Sequence, residues 1–309
     1  QDVGRPAYFR QSMDIQLIRH EDIDKTKWNS CVHYATNGNI FGYKWYLDFV
    51  AKEWDGLVEG DYQSVMPLVH RTNRWGRKKI VHPNWMRSLG LYSVNVLSPA
   101  RLRNFLQAIP EEYRQIDMRM NEGNHPTMEM GFPLVEYQNH FLVLADSFEQ
   151  LLDKFSRDVL VNLDKATDAH LIPVQNIKPE EVADFYIKYG PSGPNRETES
   201  HALLRIMYNV LHRGWGFSTA VKNSEGTLLA ANFLIFSHGR VLSLIPVESP
   251  EGRAVAAQDF LFHSLIERFA GQKLILDFNT EGPSDLATRF GADSIPYFGI
   301  RKKAAIFSR

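Results

Sequence analysis

The chain has 309 residues, 35 basic and 36 acidic, 44% hydrophobic, with a single cysteine. That length suits about two ordinary domains with a substantial core, and a sequence pI of ≈ 6.9 argues against a broadly polyanionic partner while leaving room for a local basic groove. Cys31 alone cannot close an intrachain disulfide, no apolar run nears the ~18 residues of a membrane helix, and residues 1–12 lack the basic-then-apolar form of a secretory signal, so a cytoplasmic protein is expected.

Residues 1–12 read as an upstream extension or remnant, because Met13 runs directly into the strand-like DIQLIRH. From there the apolar spacing predicts a strand at 14–20, helices at 22–35 and 43–54, and strands at 55–60 and 63–70 joined by the Gly60-Asp61 turn. Trp45, Phe49 and Val50 form the apolar side of the second helix. A strand follows at 90–96, then a helix at 99–109 that opens on Ser98-Pro99, a cap followed by proline. Strands at 113–120 and 134–144 complete the first half.

A helix over 147–169 opens the second half, with Asp146-Ser147 as its cap and Phe148, Leu151, Leu152, Phe155 and Val159 at helical spacing. The order then repeats. A strand at 171–177, helices at 179–189 and 197–212, and strands at 217–222, 227–236 and 240–247 lead to a helix with Leu261, Leu265 and Phe269 on one face. A strand at 274–278, a short helix at 283–290 and final strands around 297–307 end the chain. Each half reads β-α-α-β-β-β-α-β, which places domains at 13–146 and 147–309, repeated in pattern rather than in residues. With no low-complexity linker, the halves are expected to pack closely around a ligand cleft.

Residues 239–282 carry the most chemical signal. A strand feeding a helix through a glycine-bearing loop aims free N–H groups and the positive end of the helix dipole at that loop, which favours an anion. An ordinary β-α-β crossover is the plain alternative. Asp277 and Glu281 flank Asn279 just past the 274–278 strand, where either carboxylate can take a proton from an amine or, more simply, cap a turn. The basic run 70–79, with Trp75 inside it, suits an RNA or a phosphate-bearing substrate held by charge and stacking, or else a solvated hairpin tip. Residues 81–92 mix aromatics with Asn84 and Arg87, as a substrate pocket does and as a loop covering the core also does. Histidine and cysteine lack zinc-ligand spacing, and neither a G-x-S-x-G elbow nor a Walker loop occurs, so no metal, serine-nucleophile or P-loop chemistry is expected.

Four short stretches lend this order of elements a family likeness. They are Phe41-Gly42-Tyr43-Lys44-Trp45-Tyr46-Leu47, then Ile80-Val81-His82-Pro83 through Leu89-Gly90, then Asn162-Leu163-Asp164-Lys165-Ala166, and last Asp277-Phe278 with Gly282 and Arg289-Phe290-Gly291-Ala292. In order, they resemble the aromatic helix entry, the "QP…LG" stretch, the "RRNIRKA" helix and the "DF.GS…FGA" segment of FemABX-like acyltransferases, a branch of the GNAT superfamily also found as CelD-type domains. The resemblance covers residues 13–309 and implies an α/β fold with a mixed sheet, built as two tandem GNAT-like domains. Four positions depart from the family pattern. Leu160 and Val161 replace its paired arginines, Ala256 replaces the central glycine of the donor loop within Arg253-Ala254-Val255-Ala256-Ala257-Gln258, and Phe290 stands near the place of a tyrosine general acid.

The resemblance implies an N-acyltransferase in which an ester or thioester donor and an amine acceptor, a small molecule or a peptide, react directly in the interdomain cleft. Asp277 or Glu281 would then take the amine proton. Val247, Ser249, Gly252, Arg253 and Gln258 would hold acetyl-CoA or another acyl-CoA, and Lys44, Trp45, Trp85, Arg87, Asn162, Lys165 and Asn279 would line the acceptor's side. Aminoacyl-tRNA is the other donor the family uses. A non-catalytic binding module with degenerate GNAT-like halves is the alternative from a different class. The first half, whose helix opens on Leu97-Ser98-Pro99-Ala100 without a glycine-rich loop, would shape the cleft rather than hold a donor.

Overall fold

A computed structural model describes residues 14–191 and 196–303 of the chain. The extension expected at 1–12 and the end of the last expected strand, 304–307, lie outside the described residues. The first half runs β1 (Ile15–Ile18), α1 (Lys25–Tyr34), α2 (Lys44–Val50), β2 (Glu53–Glu59), β3 (Ser64–Thr72), β4 (Lys78–Ile80), β5 (Tyr92–Ser93), α3 (Pro99–Gln107), β6 (Tyr113–Arg119) and β7 (Leu134–Val143). Helices start where capping chemistry allows. The Asp24 carboxylate accepts from the N–H groups of Thr26 and Lys27 at 2.9 and 3.0 Å, and Ser98 caps α3 through the Arg101 N–H.

The second half runs α4 (Phe148–Leu152), α5 (Arg157–Asp168), β8 (Ile172–Gln175), α6 (Pro179–Tyr189), α7 (Arg196–His212), β9 (Gly216–Lys222), β10 (Leu228–Ser237), β11 (Arg240–Ser243), β12 (Val247–Glu248), α8 (Pro250–Ala254), α9 (Ala257–Phe269), β13 (Ile275–Asp277), α10 (Asp285–Arg289) and β14 (Asp293–Lys302). The helix expected over 147–169 is broken in two. Ser147 and Gln150 close a capping box on α4, and the chain then turns so that the Ser156 N–H donates to Arg289 O at 2.8 Å. The strand expected over 240–247 is likewise interrupted between β11 and β12. The strand expected at 90–96 is reduced to β5, while β4 lies at the end of the basic run that sequence spacing assigns to a hairpin tip. That tip is real. Asn73 Oδ1 accepts from the N–H groups of Trp75 and Arg77, and Trp75 is exposed.

All the strands join one 14-stranded sheet in the order β1-β2-β3-β4-β6-β14-β7-β13-β11-β10-β9-β8, with β5 on β3 and β12 on β10. Pairings along that order are antiparallel except β4 with β6 and β11 with β13. The path reads the same from either end: four antiparallel strands, a parallel partner, then one more antiparallel strand. The last strand of each half is exchanged. β7 follows β6 in the chain but pairs with β13, and β14 follows β13 but pairs with β6 over Gly299–Lys302. The two exchanged strands pair with each other from Asp293↔Phe141 to Ile300↔Leu134 at the centre of the sheet. One core joins the first half to α6 and α7; a second holds α4, α5 and α9 against the far face of the second half. Among the described residues no helix is long and apolar enough to cross a membrane.

Candidate functional site

The parallel pair β11 and β13 sets the geometry of the site. Arg240 faces Ile275, Val241 faces Leu276 and Leu242 faces Asp277, and there the pairing ends. Leu244 N–H turns away to Phe233 O at 2.9 Å, Ile245 N–H to Asn232 Oδ1 at 3.2 Å, and Phe278 N–H to His140 O at 3.0 Å. With these polar groups engaged elsewhere, the two strands pair no further, and the place where their pairing ends is termed the wedge. Asn232 pins one wall of it, because its amide also donates to Ser243 Oγ at 2.9 Å.

At the base of the wedge lies a closed ring of four charges drawn from both halves. Arg87 donates through Nη1 to Asp277 Oδ1 at 2.6 Å and through Nη2 to Glu122 Oε1 at 3.1 Å. Arg240 completes the ring through Nη1 to Asp277 Oδ2 and Nη2 to Glu122 Oε2, both at 2.9 Å. Asn139 on the exchanged strand β7 donates to both carboxylates, at 2.7 Å to Glu122 and 3.1 Å to Asp277. The ring is electrically balanced, which is the condition for holding four charges in a low-dielectric seam.

Asp277 is 1% exposed. Burial alone would raise its carboxyl, but the charges of Arg87 and Arg240, with hydrogen bonds from Arg87 and the Asn279 N–H, outweigh that and hold it below the usual carboxylate range. Arg87 is the mirror case: burial works against its charge, and Asp277 and Glu122 together push it up. A carboxylate held low and engaged at both oxygens acts as a fixed counter-ion. Glu281, four residues on, is half exposed and pairs with Arg119, which also lies over the Tyr137 ring at 4.9 Å.

Of the residues expected at the site, the structure brings Arg87, Asp277 and Asn279 together. Asn279 sits at φ 57, a left-handed position that asparagine tolerates, with its Oδ1 accepting from Arg87 at 3.3 Å. The others lie elsewhere. Lys44 Nζ is 3.0 Å from both His20 Nε2 and Asp48 Oδ2 on the outer side of the first half. Trp85 stacks edge-on against Tyr186 with ring centroids 5.1 Å apart. Asn162 donates to Asp259 at 2.6 Å, and Lys165 is exposed on α5. Trp45 lines a separate pocket with Tyr43, Arg213 and Trp215.

The expected donor loop is already occupied by the protein's own groups. Ser249 caps α8 by accepting from the Gly252 N–H at 2.9 Å, and its own N–H donates to Leu229 O. Val247 is buried in β12, and Gly252 is packed so tightly that a Cβ would stand 2.2 Å from Leu229 O. Ala256 takes the left-handed conformation, φ 58, at the start of α9, where the family pattern has glycine. The Gln258 N–H on the first turn of α9 donates to Glu248 Oε1 at 2.9 Å. Arg253 lies 3.6 Å from the same carboxylate with a largely exposed side chain. A carboxylate thus stands at the N-terminus of α9, the end of a helix that favours negative charge. Burial raises the Glu248 carboxyl above its ordinary value, against the opposing pull of the Gln258 N–H and Arg253.

Sequence spacing alone did not reveal Glu122, Asn139, Arg240, Glu248 or the pair His140–Thr280. A signal for Glu122 exists. Asn121-Glu122-Gly123 follows β6 much as Asn279-Thr280-Glu281-Gly282 follows β13, at equivalent ends of equivalent strands. His140 Nδ1 lies 2.8 Å from Thr280 Oγ1, and burial pushes the imidazole below its ordinary value. Among the described residues no group of three or more His, Cys, Asp or Glu side chains is placed to hold a metal ion.

No family model matches the chain, and no curated protein matches it. Solved structures do. FemX aligns with a TM-score of 0.60 at 11% identity, covering 92% of this chain and 96% of its own. A conserved protein of unknown function from Bacteroides thetaiotaomicron aligns at 0.57 and 11% identity over 94% of this chain and 100% of its own. A tandem GNAT protein from the clavulanic acid biosynthesis pathway aligns at 0.51 and 12% identity over 95% and 99%. The likeness spans both halves of each chain, and the fold is therefore the tandem GNAT-like fold that FemX shares.

Proposed function

We propose that this chain is an N-acyltransferase that moves an acyl or aminoacyl group directly from an ester or thioester donor to an amine, without a covalent intermediate. The observation that carries this reading is the wedge beyond Leu242 and Asp277, where a parallel strand pair parts inside a tandem GNAT-like fold. Such a wedge lets a donor and an acceptor approach from opposite sides. In this reading two GNAT-like units divide near residue 146, each completed by a strand from the other, and the protein works in the cytoplasm.

Within that scheme the two carboxylates take different roles. Asp277 holds the walls of the wedge in place through the charge ring. Glu281, on the chain just beyond it and half exposed, is the group available to take the amine proton. The acceptor amine would be carried by a small molecule or a peptide.

Acyl-CoA is the first donor to test. The Glu248 carboxylate at the start of α9 favours a second reading, a donor with no pyrophosphate at that place, such as aminoacyl-tRNA. Calorimetric titration with acetyl-CoA and with charged tRNA, followed by turnover of the donor that binds against a panel of amines, separates the two. Binding of neither donor at sub-millimolar concentration would replace the transferase reading with that of a binding module. Full turnover in both Asp277→Asn and Glu281→Gln would remove these residues from the mechanism.

A further inference from the structure

Apart from the wedge, the structure holds a groove of about 300 Å3 between the outer face of α1 and the turn that links α7 to β9. Thr26, Asn29, Ser30 and His33 line its polar side, at spacings that put them on one face of α1 while Trp28, Cys31 and Val32 face the core. Tyr43, Trp45 and Trp215 form the aromatic side, and Tyr34, 70% exposed, stands at the edge.

Arg213 sets the chemistry of this groove. Its guanidinium lies over two indoles, 5.3 Å from the Trp45 centroid and 5.1 Å from that of Trp215. Its Nε donates to Asn209 Oδ1 at 2.6 Å, which fixes the plane of the group. Among the described residues no carboxylate comes within ion-pair distance of it, in contrast to Arg87 and Arg240, each of which has two. Its terminal nitrogens therefore keep a paired-donor edge for an incoming anion. The same cation fills the space over the indoles, so a cationic ligand would meet like charge there.

Flat aromatic side chains beside a cation that has no counter-ion among the described residues suit one kind of ligand.

We propose that this groove binds a small organic anion, a ring or similarly flat body bearing a phosphate or carboxylate, with the anionic group on Arg213 and the ring beside the guanidinium, against Tyr34 and the part of Trp215 that stays open. The site stands apart from the acyl-transfer reading, because its test needs no turnover.

The probes are phenyl phosphate and benzoate, with inorganic phosphate, phenol and phenyltrimethylammonium as single-feature controls. Binding is read by calorimetry and by quenching of tryptophan fluorescence in the full chain. At least one of the two aromatic anions is expected to bind about tenfold or more tightly than any control, since stacking and ion pairing then add. Arg213→Gln should remove that preference. A melting temperature close to wild type in that variant separates lost binding from lost fold. An aromatic anion bound no better than the controls, or bound equally by Arg213→Gln, overturns the proposal.

Discussion

Replacing Asp277 with asparagine tests the account of the seam most directly. The carboxylate accepts four hydrogen bonds: from Arg87 Nη1 (2.6 Å), Asn139 Nδ2 (3.1 Å) and the Asn279 N–H (2.9 Å) on Oδ1, and from Arg240 Nη1 (2.9 Å) on Oδ2. Asparagine matches the shape but removes the charge and turns a donor toward one of those donors. Arg87, whose side chain is 5% exposed, then keeps Glu122 as its remaining ion-pair partner. Removing one member of a buried ion pair costs about 3–5 kcal/mol, a large part of an ordinary total of about 5–15 kcal/mol. Urea unfolding followed by circular dichroism reads this; with a slope of about 3 kcal/mol/M the midpoint should fall by about 1–1.7 M. The double variant Arg87→Met/Asp277→Leu leaves the Arg240–Glu122 pair intact and should cost less than Asp277→Asn alone. The acid limb gives a second readout. Because Asp277 is held low in the folded protein, its contribution is complete above the unfolded value of about 3.9 and is lost as pH falls through the lower folded value. The wild type should therefore lose stability below about pH 4 more steeply than the variant. A loss under about 1 kcal/mol at pH 7, the size of a surface pair, would refute the idea that the ring holds the halves in register.

Glu248→Gln should act in the opposite sense. The carboxyl is raised in the folded state, so the protonated form is favoured there, and stability is lost as pH rises from the unfolded value of about 4.3 through the folded one. Glutamine keeps an acceptor for the Gln258 N–H, so melting at pH 7 should occur at higher temperature than in wild type, with the difference fading below about pH 4. Equal melting at pH 7 would contradict this. If α9 does receive an anionic donor, the same variant should also bind acyl-CoA more tightly by calorimetry. Gly90→Ala should cost about 2–4 kcal/mol in urea unfolding, from left-handed strain and a lost hydrogen bond. Gly90 has φ +101, and the new Cβ would stand 2.2 Å from the Asn124 Oδ1 that accepts from the Leu91 N–H. Glu281→Gln should leave stability within about 1 kcal/mol, because its pair with Arg119 is half exposed. Its turnover, once a substrate pair is identified, should fall about 10²–10⁴-fold, and an unchanged rate would clear Glu281 of a proton-transfer role.

Much of this architecture is local, and local chemistry is legible. The caps at Ser98 and Ser147, the 3.6-residue spacing of Leu261, Leu265 and Phe269, and the doubled order of elements lead from residues to helices and strands without tertiary information. β4 was hidden because Lys78 and Lys79 read as surface charge, although Lys78 spends its charge on Asp55 at 3.0 Å. Lys44 looked available for a ligand for the converse reason: nothing in the order of residues says that Asp48 and His20 will surround it. The charge ring was half legible. Arg87 and Asp277 stood out as polar residues in apolar company, but Glu122, Asn139 and Arg240 join them only through strand neighbours that alternation cannot specify. The exchange of β7 and β14 is of the same kind, since a strand's pattern says which faces are buried and not which edge it will meet.

That exchange bears on how the protein is made. During synthesis the first half can build β1 to β6 early, but the free edge of β6 has no partner until residues 293–302 leave the ribosome. For most of translation the nascent chain therefore carries an open strand edge, a surface prone to wrong pairing. Chaperone dependence should fall on this interval rather than on either half taken alone. The finished molecule has the opposite property: with each half knitted into the other, rigid-body opening would have to break the centre of the sheet.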